Sequence, residues 1–122
     1  MTYNTDDTRD YLLKMMRSMR DRMELLREWQ DTGTVPEDLA DDYGHGADLY
    51  EVMADYPLEV VDQRGRNFTV VLTVGGPHIE IEAEGLGEAT LRGYWAGIAP
   101  VTLSGDVFSW MLDYYIDRDE RN

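Results

Sequence analysis

The spacing of apolar residues changes at Pro57-Leu58, and that change most tightly limits what this chain can fold into. Ahead of it, Leu12, Met16, Met19, Met23 and Leu26, with Gln30 closing the row, follow a 4-3-4-3-4 spacing that lays one stripe along a helix. Leu13, Met15, Leu25 and Trp29 widen or flank the stripe. Thr5-Asp6-Asp7 offers a capping hydroxyl and acids at the positive end of the helix dipole, and Gly33 offers a stop. The spacing predicts one helix of about 24 residues, ~36 Å long. Pro36 suits a first helical turn and opens a short helix to about Tyr43. Gly44-His45-Gly46 interrupts it, Ala47–Tyr56 resumes it, and Pro57 ends it.

After Pro57 the period is two. Leu58–Arg64 reads as a strand, Gly65-Arg66-Asn67 as a turn and Phe68–Val74 as a second strand. Gly75-Gly76-Pro77 turns the chain, after which Ile79, Ile81 and Ala83 alternate with Glu80, Glu82 and Glu84. Gly85–Gly87 is a further turn and Thr90–Trp95 a fourth strand. A connection through Ala99-Pro100-Val101 leads to Ser104, read as the cap of a last helix whose Val107, Trp110, Met111 and Tyr114 face inward. The tail Asp117–Asn122 is charged and expected to fray. The prediction is a single α+β domain over residues 1–122: a long N-terminal helix (1–33), an acidic helical segment (34–57), a four-stranded antiparallel meander (58–104) and a C-terminal helix (105–117) packed on the sheet. A chain of 122 residues that is 43% hydrophobic and 11% aromatic can fill one core, and is too apolar for a disordered acidic tail.

The formal net charge of −14 is unevenly placed. Residues 1–33 carry six basic and seven acidic side chains, whereas residues 34–122 carry five and eighteen. Residues 34–63 hold nine acids and no Lys or Arg. Such a block repels nucleic-acid phosphates and anionic lipid and attracts a basic surface. Ten Arg against one Lys, and fifteen Asp against ten Glu, also fit a GC-rich or salt-adapted origin. Salt adaptation spreads acid evenly, however, and the first third of the chain is nearly balanced. The side chains singled out for partner contact are Glu37, Asp38, Asp41, Asp42, Asp48, Glu51 and Asp55, together with Glu80, Glu82 and Glu84. The last three recur on one strand face at about 6.8 Å, close to the phosphate spacing of a nucleic-acid strand. An ordinary solvent-facing strand has the same pattern. Tyr43, Tyr50, Trp95 and Tyr115 are candidate exposed aromatics beside the acids.

Sites for chemistry are harder to find. Without Cys there is neither a disulfide nor a thiolate ligand. Gly85-Leu86-Gly87 lacks the third glycine of a phosphate loop, no nucleophile elbow surrounds Ser104 or Ser109, and the acids around Gly44 miss the register of a calcium-binding loop. Asp41, His45 and Asp48 would share a helix face only if the helix ran through Gly44 and Gly46, so His45 reads as a loop residue and no metal is expected. His78 reads as a turn residue, and no carboxylate sits in an apolar context that would raise its pKa for acid–base work. The chain is therefore expected to be no enzyme, without cofactor. It shows no signal segment and no apolar run near the roughly 20 residues that span a bilayer, which points to a soluble cytoplasmic protein.

Small size, strong acidity and a helix-flanked antiparallel sheet, with Gly75-Gly76-Pro77-His78-Ile79 and Gly93-Tyr94-Trp95 inside the stretch Val74 to Gly97, resemble phage-encoded anti-CRISPR proteins and related DNA-mimic inhibitors. The likeness covers about a fifth of the chain and rests on turn and core residues. It implies a mobile-element protein, acting in the host cytoplasm, that binds a protein partner with a basic surface. That partner would be a CRISPR effector nuclease or a Cascade-type complex, with no direct contact to nucleic acid or membrane, and the inhibitor a monomer or homodimer. The residues also admit a second reading, a small structural or regulatory protein that dimerises or docks through its Met-rich N-terminal helix.

Overall fold

Helix α1 occupies Thr5–Thr32 in the computed structural model, which describes residues 5–62, 67–84 and 88–120. At 28 residues it is about one turn longer than the stripe requires, and Thr5 is itself its first residue rather than its cap. Leu12, Met16, Met23 and Leu26 are fully buried, Met19 is half-buried, and the row ends differently from expectation. Trp29 is buried, while Gln30 stays at the surface and accepts a hydrogen bond from the Trp110 indole N–H at 2.8 Å. Burying the apolar indole and leaving the amide wet avoids the desolvation cost of the reverse arrangement. Gly33 closes the helix in a left-handed conformation (φ +73°), its N–H donating to the Trp29 carbonyl at 2.7 Å.

Two short helices follow. Helix α2 (Glu37–Tyr43) begins after Pro36 and stops at Gly44, whose φ of +85° a residue with a side chain rarely adopts. Helix α3 (Leu49–Asp55) is capped by the Asp48 carboxylate, which accepts from the Tyr50 N–H at 3.1 Å.

Among the described residues the sheet has five strands where the sequence predicts four: β1 (Glu59–Asp62), β2 (Asn67–Thr73), β3 (His78–Glu84), β4 (Thr90–Tyr94) and β5 (Val101–Ser104). They form an antiparallel meander in the order β1-β2-β3-β4-β5. The added strand β5 lies in the segment expected to be a connection. Four residues between Pro100 and Gly105 are too few for a clear periodic signal, and pairing with β4 (Val101 opposite Gly93, Leu103 opposite Leu91) makes them a strand. Ser104 is consequently a strand residue, not a helix cap. The last helix, α4 (Asp106–Glu120), starts after Gly105, whose carbonyl accepts from the Phe108 N–H at 3.2 Å. The turns expected at Gly65-Arg66 and Gly85–Gly87, the end of the first predicted strand at Arg64 and the final two residues of the tail lie outside the described residues.

Among the described residues, all four helices share a core with one face of the sheet. Val70, Ile79, Ile81 and Leu91 point into it and are fully buried, as are Leu39, Met53, Phe108 and Met111 from the helices. Each such side chain contributes about 1.5–3 kcal/mol relative to exposure. On α4, Val107 and Met111 face inward as expected, but so do Phe108, Leu112 and Tyr115, whereas Trp110 and Tyr114 are only half-buried. The buried face is rotated toward the i+1 positions. Tyr115, a candidate exposed aromatic by sequence, is buried and donates its hydroxyl hydrogen to the Met53 carbonyl at 2.6 Å, which ties α4 to α3. The Met-rich stripe of α1 that a helix-mediated dimer would need is largely consumed by this core.

Candidate partner-binding surface

The acids of α2 and α3 are all exposed, and helical spacing arranges them in rows. Glu37 and Asp41, Asp38 and Asp42, and Glu51 and Asp55 are each four residues apart, which places their Cβ atoms about 5–6 Å apart on one helix face. Like charges at that spacing cost a few tenths of a kcal/mol per pair. Not all of these carboxylates are equivalent. Glu37 and Asp38 lie in the first turn of α2 and Asp48 caps α3, so part of their role is to satisfy helix ends. Asp42 is held by Arg22 of α1 at 2.8 Å. The same guanidinium donates to the Tyr43 hydroxyl at 3.1 Å and lies 5.3 Å over the Tyr43 ring, and these hydrogen bonds, the one to Tyr43 first and then the one to Asp42, raise the Arg22 pKa. Asp41, Glu51 and Asp55 remain exposed and have no ion pair among the described residues.

Nearby, a groove of about 370 Å³ runs between the end of α1 and the start of α2, lined by Leu25, Val35 and Pro36 and by the acids Glu28, Glu37 and Asp38. Of the four aromatics considered for contact, Tyr50 at the start of α3 is exposed (56%), Tyr43 and Trp95 are half-buried, and Tyr115 is in the core. Because α2 ends at Gly44, Asp41, His45 and Asp48 do not share a helix face. Among the described residues no three His, Asp or Glu side chains are grouped to hold a metal ion.

The β3 glutamates are placed differently. Register sets Ile79 and Ile81 toward the helices and His78, Glu80 and Glu82 on the opposite face, beside Tyr94 and Arg92 of β4. Glu80 and Glu82 are only 14% and 25% exposed, so they form a networked cluster rather than a free stripe. His78 Nε2 lies 2.9 Å from Glu80, the Tyr94 hydroxyl donates to both Glu82 oxygens at 3.2 Å, and Arg92 lies 3.5 Å from Glu82. Burial pushes the Glu80 carboxyl up, but hydrogen bonds from Glu82 and His78 outweigh it and hold its pKa below the ordinary value. Burial, and then the neighbouring Glu80, push the Glu82 carboxyl up. The Tyr94 phenol is raised in turn, by burial and then by the Glu82 charge. Some carboxylates of the chain are thus partly desolvated, contrary to the expectation that all sit in hydrophilic surroundings. The Glu84 side chain lies outside the described ones.

The two acidic groups therefore occupy opposite layers of the molecule, α2 and α3 on the helix side and the β3 glutamates on the open sheet face. Sequence inspection missed Arg22 and Arg92 as partners of the nominated acids. The signal for Arg92 is its register opposite Glu80, which appears only once β3 and β4 are paired. No helix among the described residues is long and apolar enough to cross a membrane.

Comparison with protein-family models, with curated proteins and with solved structures finds no match.

Proposed function

We propose that this protein is a non-catalytic inhibitor that docks its α2–α3 face on a basic, nucleic-acid-binding groove of another protein, and that the complex it blocks is a CRISPR effector. The observation that carries the reading is the set of Asp41, Glu51 and Asp55, exposed carboxylates without an ion pair among the described residues, in a stretch of thirty residues free of Lys and Arg. A face of one sign acts over a Debye length of about 8–10 Å at moderate ionic strength, speeds encounter with a basic groove and turns away the nucleic acid that competes for it. Tyr50 beside Glu51 adds an amphipathic ring of the kind that anchors protein interfaces. Glu37, Asp38 and Glu51 lie in first turns, where the helix dipole favours acids, but Asp41 and Asp55 have no such local role and each forms a like-charge pair that opposes helix stability. The CRISPR target follows from the resemblance of size, acidity and architecture to phage-encoded inhibitors.

The test is displacement of a labelled target duplex from purified effector nuclease and Cascade-type complexes. Wild type is compared with the Asp41→Asn/Glu51→Gln/Asp55→Asn variant, whose fold is checked by circular dichroism. Wild type is expected to displace the duplex, and the variant to require about tenfold more protein. Equal displacement by both removes the α2–α3 face from the account, and displacement from none of the complexes removes the CRISPR target.

A further inference from the structure

Strand β1 forms one edge of the sheet and holds four residues, Glu59–Asp62, none of them Pro or Lys. On its outer side an edge strand leaves backbone N–H and C=O groups without ladder partners, and edge Pro and Lys are two of the usual devices that discourage further pairing. Val60 lies opposite Val70. Val70 is fully buried under the helix layer, yet Val60 is 37% exposed, and Leu58, in the bend just before the strand, 59%. Among the described residues the core stops one strand short, and no further strand pairs with β1 beside this apolar ledge. On the opposite face Glu59 sits across from Val71, whose other neighbour on that rung is Glu80. That face of the edge carries one exposed carboxylate, Glu59, beside the half-buried Val61.

We infer that the β1 edge accepts an extended segment of a partner protein as a sixth strand, one in which apolar residues alternate with Lys or Arg. Backbone pairing supplies the affinity. Alternate side chains of the added strand point to opposite faces, so its apolar set covers Val60 and Leu58 while its cationic set meets Glu59. Charge selects this occupant over a second copy of the chain. Two β1 edges brought together would join molecules of net charge −14, and neither has a Lys or Arg between residues 34 and 63 to offset the repulsion. The site does not involve α2 or α3 and does not depend on the proposal above.

The experiment is a titration of the isotope-labelled full chain with a short peptide of alternating valine and lysine, followed through backbone amide signals. Controls are a valine–glutamate peptide and two valine–lysine peptides N-methylated on one or the other alternate set of residues. Strand addition shifts the Glu59–Asp62 amides and slows their exchange. It tolerates methylation of the set that faces away, loses about tenfold or more in affinity with the other set, and rejects the glutamate peptide. Val60→Lys weakens binding of the lysine peptide, and Leu58→Lys does the same where Val60→Lys perturbs the fold. Equal binding of both methylated peptides, or shifts confined to α2 and α3, would overturn the inference by showing attraction to charge alone. Self-association through β1 in the absence of peptide would overturn it in favour of a second copy.

Discussion

Replacing Gly93 with alanine places a methyl group where helix α1 crosses strand β4. A Cβ at this position would lie 2.8 Å from the Met16 sulfur and 3.1 Å from both Leu12 methyl carbons, and both neighbours are fully buried. Carbon atoms pack best at about 3.5–4.0 Å, so each contact falls short by several tenths of an ångström or more. Met16 can swing away at some loss of packing, but Leu12 is in contact through both of its branches. Overpacking of this kind costs about 1–3 kcal/mol. Against it stands a gain of about 0.4–1 kcal/mol because alanine restricts the unfolded chain. The expected balance is a loss of about 1–2 kcal/mol. Urea denaturation followed by circular dichroism reads it as a lower midpoint at unchanged slope. Met16→Ala alone should cost about 2–5 kcal/mol. In that background the sulfur contact is gone and Gly93→Ala should cost at least about 1 kcal/mol less than in wild type, a coupling that only touching residues show. A Gly93→Ala variant as stable as wild type, or costs that simply add, would refute the close seating of α1 on β4.

Three further outcomes are expected. Tyr115→Phe removes the donor from the Met53 carbonyl and should cost about 1–2 kcal/mol in chemical denaturation, with α3 signals perturbed most. Burial pushes the Tyr56 phenol up to about 12, so its contribution to stability is complete below the ordinary tyrosine value of about 10 and is lost as pH rises toward 12. Wild type should therefore lose on the order of 2 kcal/mol more than Tyr56→Phe between about pH 9 and about pH 12, and parallel losses would contradict the burial of the phenol. Because the Glu82 pKa is raised in the folded state, its contribution is present below the ordinary carboxylate range and is lost as pH climbs through the raised value. Glu82→Gln, which mimics the neutral acid, should gain stability relative to wild type at neutral pH over its difference near pH 4, and a difference that does not change with pH would count against the cluster.

Much of the helical framework is legible in local chemistry. Gly33, Gly44 and Pro57 punctuate the helices as their backbone preferences dictate, and the alternation of Ile79, Ile81 and Ala83 with glutamates marks β3 as a strand with one buried face. Features that depend on partners far along the chain are not legible. Val101–Ser104 becomes a strand only because β4 lies beside it. Tyr115 turns inward because the carbonyl of Met53, sixty-two residues earlier, offers an acceptor there. The same division runs through the candidate site. That the acids of α2 and α3 are exposed follows from hydrophilicity and helical spacing. That Arg22 holds Asp42, that Arg92 and Tyr94 cover Glu82, and that the β3 glutamates lie on the sheet face away from the helices are consequences of packing and register, which no window of neighbouring residues contains.

If the charge of α2 and α3 drives docking on a basic groove, the affinity for a purified CRISPR effector complex, measured by calorimetry, must change across a salt series. The logarithm of affinity should fall linearly with the logarithm of salt concentration, and the Asp41→Asn/Glu51→Gln/Asp55→Asn variant should bind more weakly with a shallower slope. An affinity indifferent to salt, or a variant whose affinity and slope match wild type, would contradict charge-driven docking.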